Sequence, residues 1–140
     1  MSENRIYLDH VGIACYDLQK AGTFWQILGL LQGESDDIVT EQGVKVRFFS
    51  TSEDDSKQPR IELLQPLAED TVIGKFLRNT GEGVQQVCFR VDDLDSMIEL
   101  LMENGVRMID ETPREGSHGS SIAFVHPKST GGVLVELCQS

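Results

Sequence analysis

His10, Glu62, Gln86 and Glu136 each lie inside a hydrophobic run where an apolar side chain is expected. His10 and Glu62 are 52 positions apart, and Gln86 and Glu136 are 50 apart. Strand side chains alternate between two faces, so one residue from each of four strands can converge on a point inside a curved sheet. A buried carboxylate is costly without a cation or a hydrogen-bond donor to compensate it, and two of them at matching positions call for one shared reason. A divalent metal is such a reason. One imidazole, one amide oxygen and two carboxylates balance the charge of M²⁺ and leave coordination positions for a substrate. Each residue also has a plainer reading, as a hydrogen-bonded core histidine or as a solvent-facing glutamate, and it is the pairing that favours the set.

The elements that must carry these residues form a repeat. His10 to Leu18 superimposes on Gln86 to Leu94 at an offset of 76 positions, and the same offset carries Gly29 onto Gly105. In both copies a strand-like run reaches an Asp, then a helical pattern, then Gly. Asp17 and Asp93, or its neighbour Asp92, are suited to accept the unpaired N–H groups of a first helical turn. Leu18, Ala21, Trp25 and Leu28 form an apolar stripe at helical spacing, as do Leu94, Met97, Ile98 and Leu101. Gly29 and Gly105 close the two helices. Strand-like runs follow at Val44 to Phe49 and Ile61 to Leu64 in the first copy, and at Ile122 to Val125 and Val133 to Leu137 in the second. Each copy therefore reads βαβββ, which predicts an α+β chain. Module one spans about 6–66, a linker helix 67–82 and module two about 83–139, within one domain of residues 1–140. Thr51 to Gln58 reads as a solvated hairpin loop. Thr112 to Ser121, with Gly116 and Gly119, reads as a long polar loop of the kind that contacts substrate.

Composition sets the limits. The 140 residues include 12 Lys+Arg and 23 Asp+Glu, a net charge of −11, and the hydrophobic fraction of 39% is enough for a packed core. Such an acidic chain lacks the Lys and Arg that displace phosphate counterions, which argues against nucleic acid and anionic membranes as partners. No apolar window of about 18 residues and no basic flank followed by an apolar run is present, so a cytoplasmic location is expected. Cys15, Cys88 and Cys138 are odd in number and widely spaced, and they read as small core residues rather than as a disulfide framework or a zinc site.

The segments Leu8-Asp9-His10-Val11-Gly12-Ile13-Ala14, Glu41-Gln42-Gly43-Val44, Ile61-Glu62-Leu63-Leu64-Gln65-Pro66-Leu67, Gly81-Glu82-Gly83-Val84 and His126-Pro127-Lys128-Ser129-Thr130-Gly131-Gly132-Val133-Leu134-Val135-Glu136-Leu137 resemble the methylmalonyl-CoA epimerases of the vicinal oxygen chelate superfamily. The resemblance runs from about Leu8 to Gln139 and is most specific in its last segment. It implies two paired βαβββ modules forming a cupped, mostly antiparallel sheet with helices outside, a homodimer, and interconversion of R- and S-methylmalonyl-CoA. It places the family's metal ligands on His10, Glu62, Gln86 and Glu136, with Co²⁺ first and Zn²⁺, Mn²⁺, Ni²⁺ and Mg²⁺ as alternatives. The family usually has His at the third ligand position, where this chain has Gln86. Some members carry a catalytic Glu where this chain has Val46.

The chemistry suits such a site. The α-carbon of a malonyl-type thioester lies between two carbonyl groups, so a metal chelating both oxygens stabilises the enolate left when the α-proton departs. Inversion then needs an acid/base group on each face. The resemblance marks Glu136 as one, ligand and base together. Glu41, His118 and a bound water are open candidates for the other, while His126 before Pro127 reads as structural. Lys75, Arg78, Arg114 and Lys128 are candidates for a local cationic patch that receives an acyl-CoA. Two other readings stand beside the epimerase: a glyoxalase I-type lactoylglutathione lyase using the same cup, and a non-catalytic binding module in which Gln86 marks a weakened metal site.

Overall fold

The two principal helices begin on aspartate caps. In the computed structural model, which describes residues 4–51 and 59–140 apart from the side chain of His118, helix α1 spans Leu18–Leu28 and helix α3 spans Leu94–Glu103. The Asp17 carboxylate accepts from the Lys20 N–H at 2.9 Å and the Asp93 carboxylate from the Ser96 N–H at 3.1 Å. A second donor is satisfied from further away. Gln65 Oε1 accepts from the Leu18 N–H at 2.9 Å, and Gln139 Oε1 accepts from the Leu94 N–H at 2.7 Å. Each of these caps removes an unpaired backbone donor, worth about 1 kcal/mol. Gly29 ends α1 at φ 114°, a left-handed conformation open to glycine at little cost. Between them α2, Val72–Thr80, starts on the Thr71 hydroxyl, which accepts from the Gly74 N–H at 3.0 Å.

The contacts divide the chain into two units, His10–Gln85 and the N-terminal stretch to Asp9 together with Gln86–Ser140. In the first, strand β1 (Ile6–Ala14, from His10 onward) runs parallel to β5 (Arg60–Pro66), and β5 is antiparallel to β4 (Val44–Ser50). Two short strands, β2 (Leu31–Gln32) and β3 (Asp37–Val39), also pair with β4. Strand parity splits the core. Cys15, Phe49 and Leu63 pack with Leu18 of α1, whereas Ala14, Val44, Val46 and Leu64 pack with Ile73 and Leu77 of α2. Neighbours such as Leu63 and Leu64 therefore face opposite sides.

In the second unit β6 (Gly83–Val91, from Gln86 onward) is parallel to β9 (Val135–Gln139), which pairs antiparallel with β8 (Ser121–Val125), and β8 with the short β7 (Arg114–Glu115). Val91, Ala123, Val125 and Leu137 pack against Leu94, Met97 and Ile98 of α3. Cys88, Ile122, Phe124 and Cys138 form a second cluster on the other face. The α+β class read from the sequence is the class of the structure, and each unit joins one parallel strand pair to antiparallel neighbours.

Two details differ from the sequence reading. The stretch Thr112 to Ser121 is not one loop: Arg114–Glu115 extend the sheet, and a 3₁₀ turn at Ser117–Gly119 returns the chain. A two-residue edge strand of charged residues has no alternation to betray it. Gly116 fits there because a side-chain carbon would come within 2.6 Å of Ile122 Cγ2. The last strand also begins two residues later than its apolar run, at Val135. Of the Thr51 to Gln58 hairpin loop, residues 52–58 lie outside the described residues.

One ion pair fastens β4 to the segment before β3. Arg47 donates to both carboxylate oxygens of Asp36 at 2.8 Å, and the guanidinium holds the Asp36 carboxyl below its ordinary range. A depressed folded-state pKa gives stability that is present above the unfolded value of about 3.9 and lost as pH falls through the folded one. Asp36→Asn is therefore expected to lower unfolding free energy at neutral pH by about 1–3 kcal/mol. Urea melts at pH 7 and in acid check this, because the difference from the parent should close once pH lies below both values.

Candidate functional site

In the first unit, parity and register build a polar patch on the face away from α1. His10 is the register partner of Arg60, and Glu62 is the partner of both Gly12 and Phe48. His10, Arg60, Glu62 and Phe48 thus share one face, with Gly12 the register neighbour of Glu62. His10 Nε2 lies 3.4 Å from Glu62 Oε1, with both side chains 8% exposed. Donor atoms about 2.1 Å from one metal ion lie roughly 3.0–3.4 Å apart when adjacent around it, so this spacing fits two ligands of a common cation. The Phe48 ring stands perpendicular to the imidazole at 6.0 Å, and the Arg60 guanidinium lies over Phe48 at 4.1 Å from its centroid. Val46 is on the same face, but it sits in the apolar cluster with Ala14, Val44 and Leu64 and offers no acid/base group.

The second unit holds the other two candidates on adjoining parallel strands. Gln86 and Glu136 are both buried, and Cys88 is the register partner of Glu136. Parity puts Gln86, Cys88 and Arg90 of β6 on the same face as Glu136 and Cys138 of β9. A cluster not foreseen from the sequence lies here. Cys88 Sγ is 3.4 Å from Cys138 Sγ, and both thiols can come within 4.8 Å of an Asp9 carboxylate oxygen. Arg90 Nη2 binds Asp9 Oδ1 at 2.8 Å. The Arg90 charge also acts on Cys138, so a positive charge already serves this cluster. The Cys88 thiol, hydrogen-bonded to Cys138 and buried, is pushed above the ordinary thiol range, and that same bond draws Cys138 below it. Burial pushes Cys15 up to about 11. All three cysteines are buried and free, as small core residues would be.

The remaining candidates are dispersed. Glu41 is exposed in a 3₁₀ turn, Thr40–Gln42, of the first unit. His118 lies in the Ser117–Gly119 turn of the second, and its side chain is outside the described residues. His126 is structural: its Nδ1 accepts from the Lys128 N–H at 3.1 Å and opens a 3₁₀ turn. Lys75 and Arg78 lie exposed on α2 in the first unit, whereas Arg114 and Lys128 belong to the second. Arg114 is engaged with Asp110 at 3.5 Å and lies over Phe124. Arg60 was legible only as the residue two before Glu62, a spacing that assigns it to Glu62's face.

Comparison with known proteins adds an independent line. Residues 9–124 match the family model of the Glyoxalase/Bleomycin resistance protein/Dioxygenase superfamily. The ethylmalonyl-CoA/methylmalonyl-CoA epimerase of Cereibacter sphaeroides is 36% identical over 94% of this chain and 96% of its own length. The crystal structure of methylmalonyl-CoA epimerase from Mycobacterium tuberculosis superimposes with a TM-score of 0.85 at 41% identity, covering 95% of this chain and 87% of that one. A variant of the Streptomyces coelicolor methylmalonyl-CoA epimerase in complex with 2-nitronate-propionyl-CoA gives a TM-score of 0.86 at 37% identity, covering 96% of both chains. By fold and by identity over nearly its whole length, this chain belongs to the methylmalonyl-CoA epimerase family of the glyoxalase superfamily.

Proposed function

We propose that this chain interconverts R- and S-methylmalonyl-CoA, with His10, Glu62, Gln86 and Glu136 as the ligands of one divalent metal and Glu136 as an acid/base group. The observation that carries the reading is a pair of buried carboxylates at repeat-related positions, Glu62 and Glu136, each on a strand face with a second polar candidate on the neighbouring strand. Co²⁺ is the first choice of metal, ahead of Zn²⁺, Mn²⁺, Ni²⁺ and Mg²⁺. When bound, the ion supplies Lewis-acid stabilisation of the negative charge that develops on the substrate oxygens as the α-carbon is deprotonated.

The chain's own residues do the rest. The Glu136 carboxylate accepts the α-proton, and its burial keeps bulk water from competing for it. Return of a proton to the opposite face completes inversion, with Glu41, His118 and a held water as the candidate donors. Lys75 and Arg78, one helical turn apart on the exposed side of α2, suit the phosphates of an acyl-CoA. The reading extends to a cytoplasmic homodimer, which sedimentation of the purified chain would test. Among the described residues no helix is long and apolar enough to cross a membrane.

The decisive experiment incubates metal-loaded protein with methylmalonyl-CoA in D₂O. Wild-type protein is expected to exchange the α-hydrogen for deuterium, and a chelator is expected to stop it. A metal-loaded protein that deuterates no malonyl-type thioester would overturn the reading and favour the lyase or the binding module.

A further inference from the structure

We infer that Phe124 is the residue that limits the size of the α-substituent a malonyl-type thioester can carry; this rests on the epimerase reading and deepens it. Phe124 of β8 is the register partner of Glu136 on β9. Its N–H donates to Asp110 Oδ2 at 2.8 Å, and its carbonyl accepts from the Ile109 and Asp110 N–H groups at 2.9 and 3.2 Å. Both backbone groups thus turn away from β9, which makes Phe124 and Glu136 a pair with no hydrogen bond between their backbones. In an antiparallel sheet such partners lie closest, with Cα atoms about 4.5 Å apart and side chains on one face. The ring therefore stands directly beside the carboxylate assigned to proton transfer.

A carboxylate that takes the α-proton must have the α-carbon about 3–3.5 Å from its oxygen. The other three groups on that carbon then lie one bond away from the same place. Two of them, the thioester carbonyl and the free carboxylate, call for polar partners, and the third is an alkyl group that calls for an apolar wall. Phe124, Cys88, Ile122 and Cys138 form the apolar cluster on the face that carries Glu136. Cys88 and Ile122 are almost wholly covered, whereas Phe124 keeps 9% of its surface open beside the 7% of Glu136. The wall is also stiff. Asp110, which holds the Phe124 backbone, holds Arg114 at 3.5 Å, and the Arg114 guanidinium lies over the ring at 5.2 Å from its centroid. A ring held at its backbone and on its face resists swinging aside for a longer chain, so it discriminates by size.

The test is equilibrium binding by calorimetry, using metal-loaded full-length protein with methylmalonyl-CoA and with butylmalonyl-CoA, followed by α-deuteration of both thioesters in D₂O. Wild-type protein is expected to bind the methyl compound more tightly. Phe124→Ala should shift the affinity ratio toward the butyl compound by about 10- to 100-fold, because the space left by the ring takes the added methylenes. Phe124→Leu, the milder change to the core, should shift it by less in the same direction. Leu137→Val, on the α3 face of β9, should leave the ratio unchanged, which separates a lost wall from a loosened sheet. Wild-type protein without a preference overturns the inference, as does a ratio that stays at the wild-type value in both Phe124 variants or shifts equally in Leu137→Val. The two readings fail separately. If Phe124→Ala shifts the ratio but wild-type protein deuterates neither thioester, the size limit stands and the epimerase reading falls; deuteration with an unshifted ratio gives the reverse. Wild-type protein that binds neither thioester overturns both.

Discussion

Glu136→Gln is expected to slow α-deuteration of methylmalonyl-CoA by about 10²–10⁴-fold, the usual contribution of a single general acid/base group, while most of the metal stays bound. Gln at this position can still offer an oxygen to a cation but cannot accept a proton. Rate and metal content should therefore separate. The surroundings make the substitution clean, because Glu136 is buried on β9 opposite Cys88 and an amide of the same shape fits the same space. Deuterium incorporation by mass spectrometry, read alongside elemental analysis of the same sample, tests this. A variant that keeps the wild-type rate removes Glu136 from proton transfer. One that loses metal and rate together makes it a ligand only.

The second large effect concerns metal itself. His10→Ala and Glu62→Ala each delete one member of a pair whose donor atoms are 3.4 Å apart, and each should empty the purified protein of most of its metal and of its exchange activity. Glu62→Ala also leaves His10 without the carboxylate beside it, so circular dichroism must accompany the measurement to separate lost ligation from lost fold. Gln86 gives a graded comparison. An amide oxygen is a harder and weaker donor than imidazole, so Gln86→His should tighten Co²⁺ and Zn²⁺, and Gln86→Leu should weaken them. Equal affinities in the three proteins would take Gln86 out of the ligand set, and stoichiometric metal in both alanine variants would end the four-ligand assignment.

Local chemistry wrote much of this protein into its sequence. Asp17 and Asp93 cap α1 and α3, Gly29 and Gly105 take left-handed conformations after them, and Thr71 opens α2, all through contacts within a few residues. The period of two tells which residues of a strand share a face, and the apolar runs around His10, Glu62, Gln86 and Glu136 mark these four as polar side chains at interior positions. Register is not legible in this way. That Glu62 meets His10, that Arg60 lies over Phe48, and that Cys88 touches Cys138 depend on how strands distant in sequence align. Gln65 and Gln139 make the division plain. Each follows its Glu by three residues, and each caps the first N–H of a helix 47 or 45 positions away. The sequence holds both glutamines but assigns them no task, because a hydrogen bond across such a span exists only once the parallel strands and their crossover helix have closed. Side-chain period is a property of the local chain and can be read from it, whereas strand register follows from packing over the whole unit and is decided only by the tertiary structure.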